Sequence, residues 1–416
     1  MASAATTPCW SAARRPDPRS FSYRTPVLGI SATTLVHPAG HGTRALWDSI
    51  SRGRTGLQPN ALPWCELACW VGAVPGVEDP ALSAHLGAWD CRSHRLAWLA
   101  LQDAPFRSAL AAAIGRHGAH RVGLVLGTST SGIRSTESAY AHRRETGRWP
   151  EAFDYRKTHA VDALCRFSAQ LLGLQGPMAA ISTACSSSAK VFLTAQRWID
   201  AGLIDAAVVG GADSLCLTTL HGFDALQLLS SDMCRPFDLA RNGISIGEAA
   251  GFVLLERRPA AVQFAGGGES SDAWHMSTPH PEGEGAQAAM RMALSAAGIG
   301  PSDIGYVNAH GTATPANDRA EAVALSAVFG PHAVPVSSTK GATGHTLGAA
   351  GIVEAIVTAQ ALEHQALPPS TNWMTADPAL AVNLVRQPAS ARMQHAMSNN
   401  FGFGGSNCTL VFTLAQ

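Results

Sequence analysis

Three residues have the type and setting of a nucleophile and its hydrogen-bond donors. Cys185 lies in Ala184-Cys185-Ser186-Ser187-Ser188, between an apolar run at 178–183 and a segment with Ala189, Phe192, Leu193, Gln196 and Ile199 at helical spacing. Its thiol is thus expected at a helix N-terminus, where free N–H groups and the positive dipole end favour a thiolate. His310 precedes Gly311 and His345 follows Gly344, each in a loop after a short apolar run, and glycine lets backbone come close to a ligand. One cysteine with two loop histidines suits a Cys/His hydrolase, a metal site or an acyl-transfer site. A metal is not expected: His37 and His41 flank Pro38 and Gly40, His117 and His120 flank Gly118, and no H-E-x-x-H occurs. The other eight of the nine cysteines read as inert buried thiols.

The elements that would position these residues alternate in type. Residues 26–36 read as a first strand, 43–52 as a short helix, 95–116 as a longer helix and 121–126 as a strand leading into Gly127-Thr128-Ser129-Thr130-Ser131-Gly132. Strand–loop–helix units recur at 178–202, 304–315 and 334–351, and a Gly-rich turn at 400–405 precedes a last strand at 408–414. This alternation predicts an α/β fold with its site at the strand ends. A break between lobes falls at 257–268, and the letters show no repeat.

Composition agrees with a large folded body. The chain has 416 residues, 30 basic and 30 acidic for a formal charge of zero, with 14% charged and 46% hydrophobic residues and 40 glycines. So low and balanced a charge excludes a polyanion-binding role, and the apolar content excludes disorder for most of the chain. Every apolar run is interrupted before the roughly 18 residues of a spanning helix, so membrane insertion is not expected. Scattered, odd-numbered cysteines point to a cytoplasmic location. Residues 1–24 read as a tail: the first 20 are rich in Ala, Ser and Arg, as in a transit peptide or an over-long start.

Four blocks carry a resemblance to a known family. They are Thr183-Ala184-Cys185-Ser186-Ser187, His310-Gly311-Thr312-Ala313-Thr314, Ser338-Thr339-Lys340 through Gly344-His345 to Gly351, and Asn400-Phe401-Gly402-Phe403-Gly404-Gly405-Ser406-Asn407. In this order and spacing the chain resembles the elongating β-ketoacyl-acyl-carrier-protein synthases over residues 25–416. The resemblance implies the thiolase fold, two similar α/β halves (25–260 and 261–416) stacked as a five-layer αβαβα sandwich. It also implies a decarboxylative Claisen condensation of an acyl-cysteine with malonyl-acyl-carrier protein, in fatty-acid or polyketide/aryl-polyene-type biosynthesis. Cys185 would take the acyl group, His310 and His345 would stabilise the enolate formed when carbon dioxide leaves, and Lys340 would bias the site electrostatically. Phe401 would gate the cysteine and lend its N–H, with that of Cys185, to an oxyanion hole; Glu354 would hold the nearby loop. Thr312 and Thr314 would belong with the substrate-binding residues. No cofactor would be tightly bound, since phosphopantetheine arrives on the carrier; the partners would be that carrier and a second subunit, in a homodimer or with a related chain.

Some positions depart from the family's habit. The first strand reads Leu28-Gly29-Ile30-Ser31-Ala32, the turn after Gly247 reads Glu248-Ala249-Ala250-Gly251, and the loop 230–234 is short. These leave the choice of pathway and carrier open and tilt towards a specialised one. In the loop 127–132 the family places a bulky apolar side chain against the acyl tunnel, whereas this chain offers Thr128, Ser129, Thr130 and Ser131. Either the loop is a turn with hydroxyls bonded to backbone, or Thr130 lines the tunnel and favours polar or conjugated acyl chains. Cys185 opposes the alternative of a non-catalytic chain-length-setting subunit, and Phe401, where a second cysteine belongs, opposes that of a degradative thiolase.

Overall fold

Ten strands build the frame, in two sets of five with one wiring. The computed structural model describes residues 27–415 apart from 79–81 and 83; the tail expected at 1–24 lies outside the described residues. The first set is β1 (Leu28–His37), β2 (Val122–Gly127), β3 (Met178–Ile181), β4 (Ala206–Asp213) and β5 (Ala249–Glu256). The second is β6 (Val262–Ser271), β7 (Ile304–Asn308), β8 (Pro335–Ser337), β9 (His395–Gly402) and β10 (Ser406–Leu414). In space the first set runs β1-β5-β4-β2-β3 and the second β6-β10-β9-β7-β8, the same order counted within each set. Pairing directions match too: β1–β5 and β5–β4 are antiparallel and β4–β2 and β2–β3 parallel, as are their counterparts in the second set. A repeat absent from the letters is therefore plain in the wiring. The sets meet where Leu28 and Gly29 of β1 pair with Phe264 and Gln263 of β6.

Helices sandwich both sheets. On the strand β2, Leu124 and Leu126 face one core while Val125 faces another, the period-two alternation of a sheet buried on both sides. The outer face of the first sheet packs on α1 (Arg92–Ala100), α2 (Ala104–His117) and α3 (Ala163–Leu172). The outer face of the second packs on α5 (Glu284–Ala297) and α6 (Pro315–Phe329). Between the sheets lie α4 (Ser187–Asp200) and α7 (Ala350–His364), whose Phe192, Ile352 and Ile356 share one core with Val125 and Val209 of one sheet and Phe264 and Phe412 of the other. These five layers are the thiolase fold. The helices α4 and α7 touch at their N-termini: a Cβ on Gly351 would overlap the backbone of Ala189, and Ile352 N–H donates to Ser188 Oγ at 2.9 Å. That close approach fixes the distance between the loops preceding the two helices.

Two expected elements are redrawn. The helix expected at 95–116 is two helices, because Asp103 accepts from Phe106 N–H at 2.8 Å and Pro105 opens a new first turn. The break expected at 257–268 narrows to the turn 257–261; the following Gly266-Gly267-Gly268 is strand, its missing side chains making room for α5. The eight described cysteines are buried free thiols. Among the described residues no helix is long and apolar enough to cross a membrane.

Candidate active site

The equivalent loop of each half contributes one side of the site. Cys185 lies between β3 and α4, the third strand of the first set and its following helix; His345 lies between β8 and α7, the third strand of the second set and its helix. His310 follows β7 by two residues. The three side chains converge: His345 Nε2 is 2.9 Å from Cys185 Sγ, the two imidazoles stand nearly perpendicular at 5.4 Å between centroids, and ligand-type atoms of all three lie within 4.8 Å of one another. All three residues are buried.

Hydrogen bonds decide which imidazole nitrogen carries the proton. Leu347 N–H donates to His345 Nδ1 at 3.1 Å, so the neutral ring holds its proton on Nε2, beside the sulfur. Lys340, which can only donate, places Nζ 3.3 Å from His310 Nδ1, and His310 likewise carries its proton on Nε2. Burial holds both imidazoles well below the ordinary histidine range, and Lys340 pushes in the same direction, with His345 adding to the effect on His310. The site therefore presents two neutral N–H donors near one sulfur. Those protons, locked by an amide and an amine that cannot reverse roles, make the trio a poor metal nest despite its Cys/His composition.

The expectation of a resting thiolate is corrected. Cys185 precedes the N-cap Ser186, as expected, yet burial pushes its thiol up to about 11. Lys340 and the amides of Phe403 and of Cys185 itself pull the other way without prevailing. The desolvation of a sulfur sealed between two sheets outweighs the helix end. The amide of Phe403 also reaches the sulfur.

Behind the histidines sits a buried ion pair. Lys340 Nζ donates to Glu354 Oε1, to His310 O at 2.6 Å and to His310 Nδ1, using all three of its protons. Glu354, on α7, also accepts from Asn400 Nδ2, and burial raises its carboxyl against the pull of Lys340 and Asn400. Glu354 lies off the cavity, braced against Lys340. Thr312 and Thr314 do line the cavity, their hydroxyls 2.9 Å apart, as does Phe401, whose ring lies 5.9 Å from that of His310. Thr130 does not line it. Its hydroxyl is held by Asp213 Oδ1 at 2.9 Å, so neither the tunnel nor the backbone receives it.

Two carboxylates escaped sequence reasoning. Glu321 accepts the amides of His310 and Gly311 at 2.8 and 2.7 Å, and burial pushes its carboxyl up to about 7. Asp213, at the end of β4, gathers the hydroxyl-rich loop 128–130. The one signal in the letters was an acid closing an otherwise apolar strand, Ala206–Asp213.

Two family models match the chain: the β-ketoacyl synthase N-terminal domain over residues 93–261 and its C-terminal domain over 262–374. The chain belongs to the β-ketoacyl synthase family. Nodulation protein E of Rhizobium meliloti is 35% identical over 90% of this chain and 95% of its own length. The 3-oxoacyl-[acyl-carrier-protein] synthase 2 of Vibrio cholerae is 37% identical over 72% of this chain and 77% of its own length. Among solved structures, a ketosynthase (ApeO) in complex with its chain length factor (ApeC) from Xenorhabdus doucetiae superposes with a TM-score of 0.86 at 38% identity, covering 94% of this chain and 98% of that one. The chain is thus a β-ketoacyl-acyl-carrier-protein synthase, an acyltransferase of fatty-acid or polyketide biosynthesis. A chain-length-setting subunit without chemistry is not favoured, since Cys185 is in place between two histidine donors.

Proposed function

We propose that Cys185, His310, His345 and Lys340 divide the condensation as follows. Cys185 attacks the thioester of an acyl-carrier; its S–H proton ends on the departing phosphopantetheine thiol, so the exchange is balanced without another acid. Malonyl-carrier then loses carbon dioxide, and the electron pair of the broken C–C bond spreads onto the thioester oxygen. The Nε2–H groups of His310 and His345 donate to that oxygen in a dry site, where such donors are most effective. The enolate carbon attacks the acyl-cysteine carbonyl and expels the cysteine thiolate, which takes up from solvent the one proton that the condensation consumes. The observation that carries this reading is the convergence of one ring nitrogen from each histidine and the thiol of Cys185 within 4.8 Å of one another.

Phosphopantetheine enters with the carrier and no other cofactor is required. Thr312 and Thr314 offer hydroxyls to the arm, and Phe401 screens the sulfur. The division at 260/261, between β5 and β6, separates the nucleophile half from the histidine half. A partner subunit, identical or related, is supported by the bare edge of β3: Leu124 and Thr128 donate to Pro177 O and Ile181 O, so Met178 and Ala180 turn their amides outward. The solved relatives bound to a chain length factor or to an acyl-carrier protein support the same partners. A cytoplasmic location fits the reduced cysteines. A specialised pathway is favoured over housekeeping elongation because the match to Nodulation protein E spans 90% of the chain against 72% for the synthase 2 of Vibrio cholerae.

Mass spectrometry after incubation with a panel of acyl-carriers tests the assignment. A single acyl group on the peptide bearing Cys185, absent in Cys185→Ala, is the expected result; acylation persisting in that variant overturns it.

A further inference from the structure

The carboxylate of Asp213 is fully buried and accepts from six donors. Oδ1 receives Thr128 Oγ1 at 2.5 Å, Thr130 N at 3.0 Å and Thr130 Oγ1 at 2.9 Å, and shares Ser129 N at 3.1 Å. Oδ2 receives Ser129 N at 2.8 Å, Ser129 Oγ at 2.5 Å and Gly348 N at 2.6 Å. Five of the six donors belong to the loop after β2. The sixth, Gly348, comes from the other half of the molecule and stands three residues from His345.

The link to Gly348 continues into the chemistry. Gly348 N–H is fixed on Asp213 and, at 3.2 Å, on Ser129 Oγ. The preceding residue, Leu347, has φ of +55°, a left-handed conformation that is unfavourable for an ordinary L-residue and persists only where its surroundings hold it. It is the Leu347 amide that donates to His345 Nδ1 and so keeps the His345 proton on Nε2, beside Cys185. A Cβ on Gly348 would overlap Asp213 Oδ2 and Ser129 N, so the contact leaves no slack.

We infer that Asp213 is a positioning residue for decarboxylation: by clamping Gly348 it holds Leu347 in the strained turn that sets the tautomer and aim of His345. The inference rests on the role given to His345 above. It also assigns the polar loop 128–130 a purpose, since three small residues offering hydroxyl and amide donors are what a buried carboxylate between two halves requires. Replacing Asp213 with Asn puts an NH₂ group against N–H and O–H donors that had an acceptor, which releases the turn.

The test measures two half-reactions, acylation of Cys185 from an acyl-carrier and decarboxylation of malonyl-carrier, in wild type, Asp213→Asn, His345→Ala and the double variant. Decarboxylation is expected to fall about 10- to 100-fold in Asp213→Asn, with acylation within about threefold of wild type. In the His345→Ala background the same change is expected to cost no more than about twofold, because both act through one ring. Equal loss in both half-reactions, or losses that multiply in the double variant, overturns the proposal. Should Asp213→Asn not fold, Ser129→Ala is carried through the same cycle; a several-fold loss confined to decarboxylation and absent without His345 supports the link, and any other pattern sinks it. A His345→Ala enzyme that decarboxylates normally instead removes the assumed role of His345 itself, and the clamp loses its purpose with it.

Discussion

At the scale of single residues, burial governs the protonation states. The raised Cys185 means that its thiolate fraction grows with pH all the way towards about 11. Alkylation of Cys185 by iodoacetamide is therefore expected to accelerate about tenfold per pH unit from 7 to 10, without a neutral plateau; a plateau near pH 7 in the rate profile contradicts the buried-thiol state. His310 and His345 are held well below the ordinary histidine range, so both rings stay neutral throughout it and do not titrate between pH 6 and 8. Malonyl decarboxylation by Cys185→Gln, which leaves both histidines intact, is expected to be flat over that interval, and a sigmoid centred near 6.5 would assign the donor role to an imidazolium. The pair Lys340–Glu354 is fully buried, and breaking such a pair leaves an uncompensated charge worth about 3–5 kcal/mol. Glu354→Gln should lose stability of that order in denaturant titration, together with decarboxylation, since Lys340 then has no anchor for His310. Cys185 was legible from its place between an apolar run and a helical stretch, His310 and His345 from their glycine-flanked loops, and Lys340 only through the family resemblance. Their protonation was not legible, because it depends on burial by the rest of the fold, and Asp213 and Glu321 were hidden because their hydroxyl and amide partners lie elsewhere in the sequence.

The elements set the distance between the two reacting loops. Both β3–Cys185–α4 and β8–His345–α7 are strand–loop–helix units, and their helices meet at Gly351 and Ala189. Gly351→Ala must push α4 from α7, and overpacking of this kind costs about 1–3 kcal/mol. The expected outcome is a lowered thermal midpoint and a fall in both half-reactions, since Cys185 and His345 move apart together; an unaltered midpoint would mean that the helix contact is slack. Apolar runs bounded by Gly and Ser made these units readable, whereas the helix expected at 95–116 was misjudged because a local cap, Asp103 with Pro105, overrides a continuous apolar stripe. The glycines at 266–268 misled in the opposite sense: they mark strand pressed against α5, where loop composition would place a linker.

On the scale of the whole molecule, the duplicated order of strands leaves β3 and the short strand Asn383–Leu384 at the two ends of the ladder. The outward amide of Ala180 offers β3 to a second chain. Ala180→Pro removes that donor, and light scattering should show the proposed dimer for the wild-type chain and a monomer for the variant; an undiminished dimer places the interface elsewhere. The duplication was expected only through the family resemblance; the letters themselves show no repeat, because two halves can share a strand order without sharing residues. That order has a further consequence, for synthesis. The first strand, Leu28–His37, belongs in the middle of the finished sheet, between Ala249–Glu256 and Val262–Ser271. Its partners emerge from the ribosome about 220 residues later, which at roughly 5–20 residues per second is a wait of about 10–45 s with an apolar strand unpaired. Through that interval the nascent chain has to be shielded from aggregation, and its yield in a cell is set by chaperone supply and translation speed as much as by the stability of the finished fold.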